Sequence, residues 1–129
     1  MEFNIEPGII HTIEKTVEQK DTASSYGSGL IDVFATPAMI ALMENTAQSS
    51  LKAYLPAGYI TLGIEISIKH MKATPVDMKV RCESKLVRVE GKKLYFELNA
   101  WDEKGQIGGG THTRYIVQGE EFMKKLTEE

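Results

Sequence analysis

The sequence predicts an α+β domain in which one antiparallel sheet of about five strands wraps around one long buried helix. Three observations predict it. Residues 33–51, VFATPAMIALMENTAQSSL, hold an unbroken apolar run from Ala38 to Met43. Residues 59–70 alternate, with Ile60, Leu62, Ile64, Ile66 and Ile68 on one face and Thr61, Gly63, Glu65, Ser67 and Lys69 on the other. A period of two held that long marks a half-buried strand. Three more strand-like segments then follow, separated by short turn sequences.

Residues 1–8 form a lead-in ending at Pro7-Gly8, and residues 9–20, rich in β-branched side chains, read as the first strand. Residues 21–32, DTASSYGSGLID, are small and polar and read as a mobile loop. The helix comes next, with Thr36 as N-cap and Pro37 at the first helical position, where its missing N–H costs nothing. Its first turns are apolar all round, so no solvated side is expected there, and Glu44 then breaks the run. A carboxylate in such a stretch needs a partner, a shifted pKa or a chemical role.

Leu55 to Gly58 form a turn into the alternating strand, whose period places His70 at the end of the isoleucine face. Residues 71–75 connect to a strand over 76–90, with Val80, Cys82 and Leu86 evenly spaced. Glu90-Gly91-Lys92 turns into residues 94–101, where Leu94, Phe96, Leu98 and Ala100 share a face. A second turn at 102–105 leads to the last strand, 106–118, which opens on Gly108-Gly109-Gly110. Glycines in a strand point to a bulge or to close approach of another backbone or ligand. A charged amphipathic helix, Glu120 to Leu126, ends the chain.

The 129 residues suffice for one domain spanning 1–129 with a core of its own. A formal net charge of −3, with both signs mixed along the chain, argues against a nucleic-acid surface. Cys82 is the only cysteine, which excludes an internal disulfide and fits a reducing compartment. MEFNIEPG lacks the cationic and apolar segments of a secretory signal, and no apolar run is long enough to span a membrane. A cytoplasmic protein is expected. One cysteine and three scattered histidines give no zinc spacing, and no glycine motif precedes a helix as nucleotide binding requires. A sheet curled about a helix keeps open edges, which homodimerisation, or a dimer of dimers, would cover.

The order of elements resembles the hot-dog fold of acyl-CoA thioesterases and dehydratases, and more narrowly the fluoroacetyl-CoA thioesterase family. The resemblance rests on Val33-Phe34-Ala35-Thr36 opening the helix, Glu44 eight residues later, Leu62-Gly63 in the strand and His70 at its end. Ala73-Thr74-Pro75, Val89-Glu90-Gly91, Ile107-Gly108, Gly110-Thr111-His112 and Arg114 continue it, so the match runs from about residue 33 to 117. It implies a catalytic group of Thr36, Glu44 and His70, with Gly63 and Arg114 near the acyl group. It also implies hydrolysis of a short or small acyl-CoA to free acid and CoA, with water as acceptor and no cofactor beyond the CoA of the substrate. The fluoroacetyl-specialised enzyme carries an aromatic lid over its acyl pocket. Between Asp21 and Val33 this chain has Tyr26 as its one aromatic.

Thioester hydrolysis needs an oxyanion site, a nucleophile and a base. Free N–H groups at the helix start near Thr36 supply the first. His70 suits the base or proton carrier. Glu44 would orient His70, stabilise its charged form or attack the carbonyl, and Thr36 would bind the reacting groups or be the nucleophile. Lys52, Lys69, Lys72, Lys79 and Arg81 are available to phosphates, although solvated surface charges look the same. Two other functions fit the fold: a hydratase or dehydratase, whose Asp/His motif is not found here, and a non-catalytic acyl-CoA binding module. His112 reads as a structural strand histidine, and His11 as a structural or surface one.

Overall fold

The computed structural model describes residues 3–128, so the first two residues of the expected lead-in lie outside it. Five strands form one antiparallel sheet: β1 (Ile10–Thr16), β2 (Tyr59–His70), β3 (Lys79–Glu90), β4 (Lys93–Asp102) and β5 (Gly105–Gln118). Their spatial order is β1-β3-β4-β5-β2, which leaves β1 and β2 as edges. Three helices accompany them: α1 (Ala23–Tyr26), α2 (Thr36–Ser49) and α3 (Gly119–Thr127).

Helix α2 lies across the concave face of the sheet, touching β1, β2, β3 and β4. Met39, Leu42, Met43, Thr46 and Ala47 are buried, the i, i+3, i+4, i+7, i+8 spacing of one helical stripe. The sheet meets them with Val80, Cys82 and Leu86 of β3 and with Leu94, Phe96, Leu98 and Ala100 of β4. These two strand faces are those read from the sequence. Cys82 is a buried free thiol, pushed up to about 11 chiefly by desolvation.

Four expectations are corrected. The first strand ends at Thr16 rather than near residue 20, because a 3-10 turn over Gln19–Asp21 follows it. The Asp21 carboxylate there accepts from the Glu18 amide at 2.9 Å and pairs with Lys15 at 2.9 Å. Residues 21–32, expected as a loop, carry α1, with Thr22 as its N-cap and Asp21, Thr22 and Ala23 buried. Helix α2 does have a solvent side in its first turns, since Pro37 and Ala41 are exposed where the helix faces away from the sheet.

The fourth correction concerns β2. The register against β5 slips between Gly63 and Glu65, a β-bulge at Ile64. An extra residue reverses which face the side chains take. Before the bulge Tyr59, Thr61 and Gly63 face inward; after it Ile66, Ile68 and His70 do. Ile60 and Ile64 are left 47% and 53% exposed, so the expected isoleucine stripe is two half-stripes on opposite faces. The triple glycine meets its expectation of close approach: a Cβ on Gly110 would stand 1.9 Å from the Ser67 carbonyl oxygen.

Candidate active site

The start of α2 is fixed by the chain on either side of it. The Phe34 amide donates to the Thr74 carbonyl at 2.8 Å and the Ala35 amide to that of Asp21 at 2.9 Å. Thr74 is itself held by its hydroxyl donating to the buried Asp102 carboxylate at 2.8 Å, which also accepts from the Lys104 amide at 2.8 Å. Lys72 completes that anchor at 3.5 Å.

Thr36 is not the N-cap. Ala35 holds that position, Thr36 opens the helix, Pro37 follows, and no side chain caps the start. The hydroxyl is therefore free for another partner. Thr36 Oγ1 and His70 Nδ1 lie 2.7 Å apart, joining the start of α2 to the end of β2. Proline has no N–H and Met39 N–H returns to the Ala35 carbonyl at 2.9 Å, so the Thr36 and Ala38 amides have no helical acceptor. The His70 ring stands edge-on to Phe34, centroids 6.4 Å apart. Burial draws its pKa below the ordinary 6.5, with the Lys72 backbone opposing by less. Its Nε2 is buried and makes no hydrogen bond among the described residues. A cleft of about 260 Å³ opens here, lined by Thr36, His70, Phe34, Ser28 and Lys72 among others. Tyr26 does not line it, and Leu30, on the same loop, is 97% exposed.

Glu44 is elsewhere. Eight residues along α2 carry it about 12 Å down the helix axis from Thr36. There it faces Gly63, His112 and Arg114. A Cβ on Gly63 would sit 3.1 Å from Glu44 Oε2, 3.1 Å from His112 Cε1 and 3.3 Å from Arg114 Nη1. Gly63 thus floors a notch between a carboxylate and a guanidinium. Arg114 is only 7% exposed and donates from Nε to Thr61 Oγ1 at 2.7 Å and from Nη2 to the Thr61 carbonyl at 2.9 Å. Desolvation lowers its pKa, and the Glu44 charge raises it in part.

The five residues singled out from the sequence thus fall into two groups within one chain: Thr36 with His70, and Glu44 with Gly63 and Arg114. His112, read from the sequence as structural, and Thr61, read only as part of the face opposite the isoleucines, belong to the second group. The Thr61 signal was hidden by the bulge, which turns it inward. Among the described residues, no three His, Cys, Asp or Glu side chains converge as a metal-ligand set. No helix among them is long and apolar enough to cross a membrane.

Known proteins share this fold. The family model for FlK, fluoroacetyl-CoA-specific thioesterase, matches residues 17–120. The fluoroacetyl-CoA thioesterase of Streptantibioticus cattleyicolor is 35% identical over 112 residues, 87% of this chain and 81% of that protein. The solved structure of the fluoroacetyl-CoA thioesterase FlK superposes with a TM-score of 0.91 at 30% identity, covering 98% of both chains. A hot-dog-like protein from Thermanaerovibrio acidaminovorans shares the fold at 22% identity, with a TM-score of 0.87 over 96% of this chain and 92% of that one. The buried helix, the five-stranded sheet and these matches lead to one conclusion: the chain belongs to the fluoroacetyl-CoA-specific thioesterase family and has its hot-dog fold.

Proposed function

We propose that this acyl-CoA thioester hydrolase acts on a short or small acyl-CoA, with Thr36, His70 and Glu44 as its catalytic group. The observation that carries the reading is the 2.7 Å contact between Thr36 Oγ1 and His70 Nδ1 at a cleft beside unpaired helix amides. A lowered pKa keeps His70 neutral near pH 7 and so able to take a proton. His70 removes the Thr36 hydroxyl proton as Oγ1 bonds to the thioester carbon. The Thr36 and Ala38 amides receive the oxyanion. The C–S bond then breaks, and CoA leaves as the thiol with the proton held by His70. Water, deprotonated by the same ring, cleaves the acyl-Thr36 ester to free acid, and His70 returns that proton to Thr36 Oγ1. Gly63 and Arg114, grouped with Glu44, would lie against the acyl group from a second copy of the chain.

Glu44 is too far along α2 to serve the Thr36–His70 pair of its own chain. His70 Nε2 has no acceptor among the described residues, and β2 is an edge strand with Ile60 and Ile64 exposed. Two copies joined antiparallel along their β2 edges would cover that edge and set each Glu44 toward the other copy's His70. The working form is then a homodimer whose sites draw on both chains. A cytoplasmic setting accords with one buried free cysteine.

Thiol release from a panel of acyl-CoAs tests the activity, comparing wild type with His70→Ala and Glu44→Gln. Each variant should fall at least about a hundredfold, the usual size of general acid–base terms. An acyl adduct on Thr36 should appear by intact mass with a slow substrate; its absence during turnover would move the nucleophile to water. Mixing Thr36→Ala chains with Glu44→Gln chains should restore about a quarter of wild-type turnover if sites are shared across a two-fold. No restoration would place all three groups in one chain. Binding of acyl-CoA without thiol release across the panel would favour a binding module.

A further inference from the structure

The mechanism above leaves the buried His112 without a task. His112 is 2% exposed, packed under Phe96 of β4 with ring centroids 6.3 Å apart. Its Nδ1 lies 2.8 Å from the Glu65 carbonyl oxygen, and its Nε2 lies 3.0 Å from Arg114 Nη1. These partners fix the ring's state. A carbonyl only accepts, so Nδ1 carries the hydrogen; a guanidinium only donates, so Nε2 is bare. His112 is therefore neutral and held in one tautomer.

Its acceptor also completes the fixing of Arg114. Nε and Nη2 bond to Thr61, Nη1 to His112, and three of the guanidinium's five N–H groups are thereby committed. The plane can no longer rotate, and Nη1 stays at the Gly63 notch facing Glu44. We propose that His112 is a positioning residue of the acyl pocket: its bare Nε2 holds Arg114 so that the free guanidinium edge meets the substrate at Gly63. The inference rests on the reading that Gly63 and Arg114 contact the acyl group. The charged groups that act on the ring are Arg114 on β5 and Glu44 on α2, and the Glu65 carbonyl, Phe96 and Gly63 also border it. Protonating Nε2 would set two donors against each other and release Arg114.

Two substitutions separate this role from mere anchoring of the β2 bulge. His112→Asn retains a donor near Nδ1 for Glu65 and removes the acceptor for Arg114. His112→Gln places an amide near Nε2, retains the acceptor and removes the Glu65 bond. In full-length protein, kcat/KM on the best acyl-CoA should fall at least about tenfold in the Asn variant, the scale of a hydrogen bond to a charged group. The Gln variant should stay within about threefold, and the Asn loss should vanish on an Arg114→Met background. Equal losses in Asn and Gln, or full additivity with Arg114→Met, would overturn the proposal. Nitrogen-15 spectra of the ring at pH 6.5 give a readout free of activity: a neutral Nδ1–H ring is expected, and a charged or Nε2–H ring refutes it. A wild type that releases no thiol from any acyl-CoA would sink the substrate reading instead, and the spectrum would still decide whether His112 is the acceptor that fixes Arg114.

Discussion

Replacing Gly63 with alanine puts one methyl group into the notch and tests what the notch is for. The backbone there does not need glycine, since Gly63 is not among the residues with positive φ. What opposes the methyl is space: Glu44 Oε2 and His112 Cε1 at 3.1 Å and Arg114 Nη1 at 3.3 Å. Each must yield a few tenths of an ångström. His112 and Arg114 are tied by hydrogen bonds of 2.7 to 3.0 Å, whereas Glu44 makes none among the described residues. Glu44 should therefore move, at a stability cost below about 1 kcal/mol, less than overpacking in a rigid core. An acyl group seated there loses room worth one methylene, about 1–3 kcal/mol, so kcat/KM should drop roughly 10- to 200-fold and most for the larger acyl groups. Thiol-release kinetics across the acyl panel, paired with thermal melts, measure both. Gly91→Ala is the control: it has φ +61° and nothing within 4 Å, so it should lower stability by about 1 kcal/mol and leave turnover alone. Unchanged kcat/KM in a well-folded Gly63→Ala enzyme would refute the placing of the acyl group at Gly63.

Other outcomes follow from the same geometry. The acid limb of kcat/KM should reach half-height below pH 6.5, because burial lowers the His70 pKa and the neutral ring is the base proposed above; a midpoint above 6.5 would contradict this. Folding stability, followed by urea titration, should also decline as pH drops from about 6.5 through the lower folded values of His70 and His112, since the unfolded chain then binds more protons. Gly110→Ala should cost on the order of 3 kcal/mol or prevent folding, because its methyl would meet the Ser67 carbonyl at 1.9 Å and force β2 from β5. Native Cys82 should resist alkylation at pH 8 and react fully in denaturant, given its burial and a thiol raised to about 11.

The fold was largely legible because its strongest signals are periodic. Leu94, Phe96, Leu98 and Ala100 alternate without interruption, and β4 buries all four. His70 was reached by counting on from the isoleucines, and it does face inward, though only because Ile66 and Ile68 share its phase after the bulge. Ile60 and Ile64 were misplaced for the same reason: a one-residue slip leaves no mark in composition. Thr36 was taken for a cap since threonine is good at capping, yet its hydroxyl goes to His70. That choice depends on where residue 70 ends in space, which no local pattern encodes. Glu44 stood out as a carboxylate in apolar company. Its separation from Thr36 could have been anticipated, because eight helical residues always span about 12 Å. Thr61 escaped because its role comes from a cross-strand neighbour over fifty residues away in the chain, and His112 because its role depends on where the Glu65 carbonyl and the Arg114 guanidinium stand in space.

The slip at Ile64 also sets stability and chemistry against each other within one strand. Taking Ile64 into a regular ladder would bring the first half of β2 into step with the second, sending Ile60 and Leu62 inward and Thr61 and Gly63 outward. The sheet would gain an oilier interior and an unbroken ladder to β5. It would lose the floor of the notch and both anchors of Arg114. The same strand without its slip would thus turn a more apolar face to the core and leave no notch at Gly63. An irregularity of that kind is stable in a lineage only while selection on turnover outweighs selection on folding.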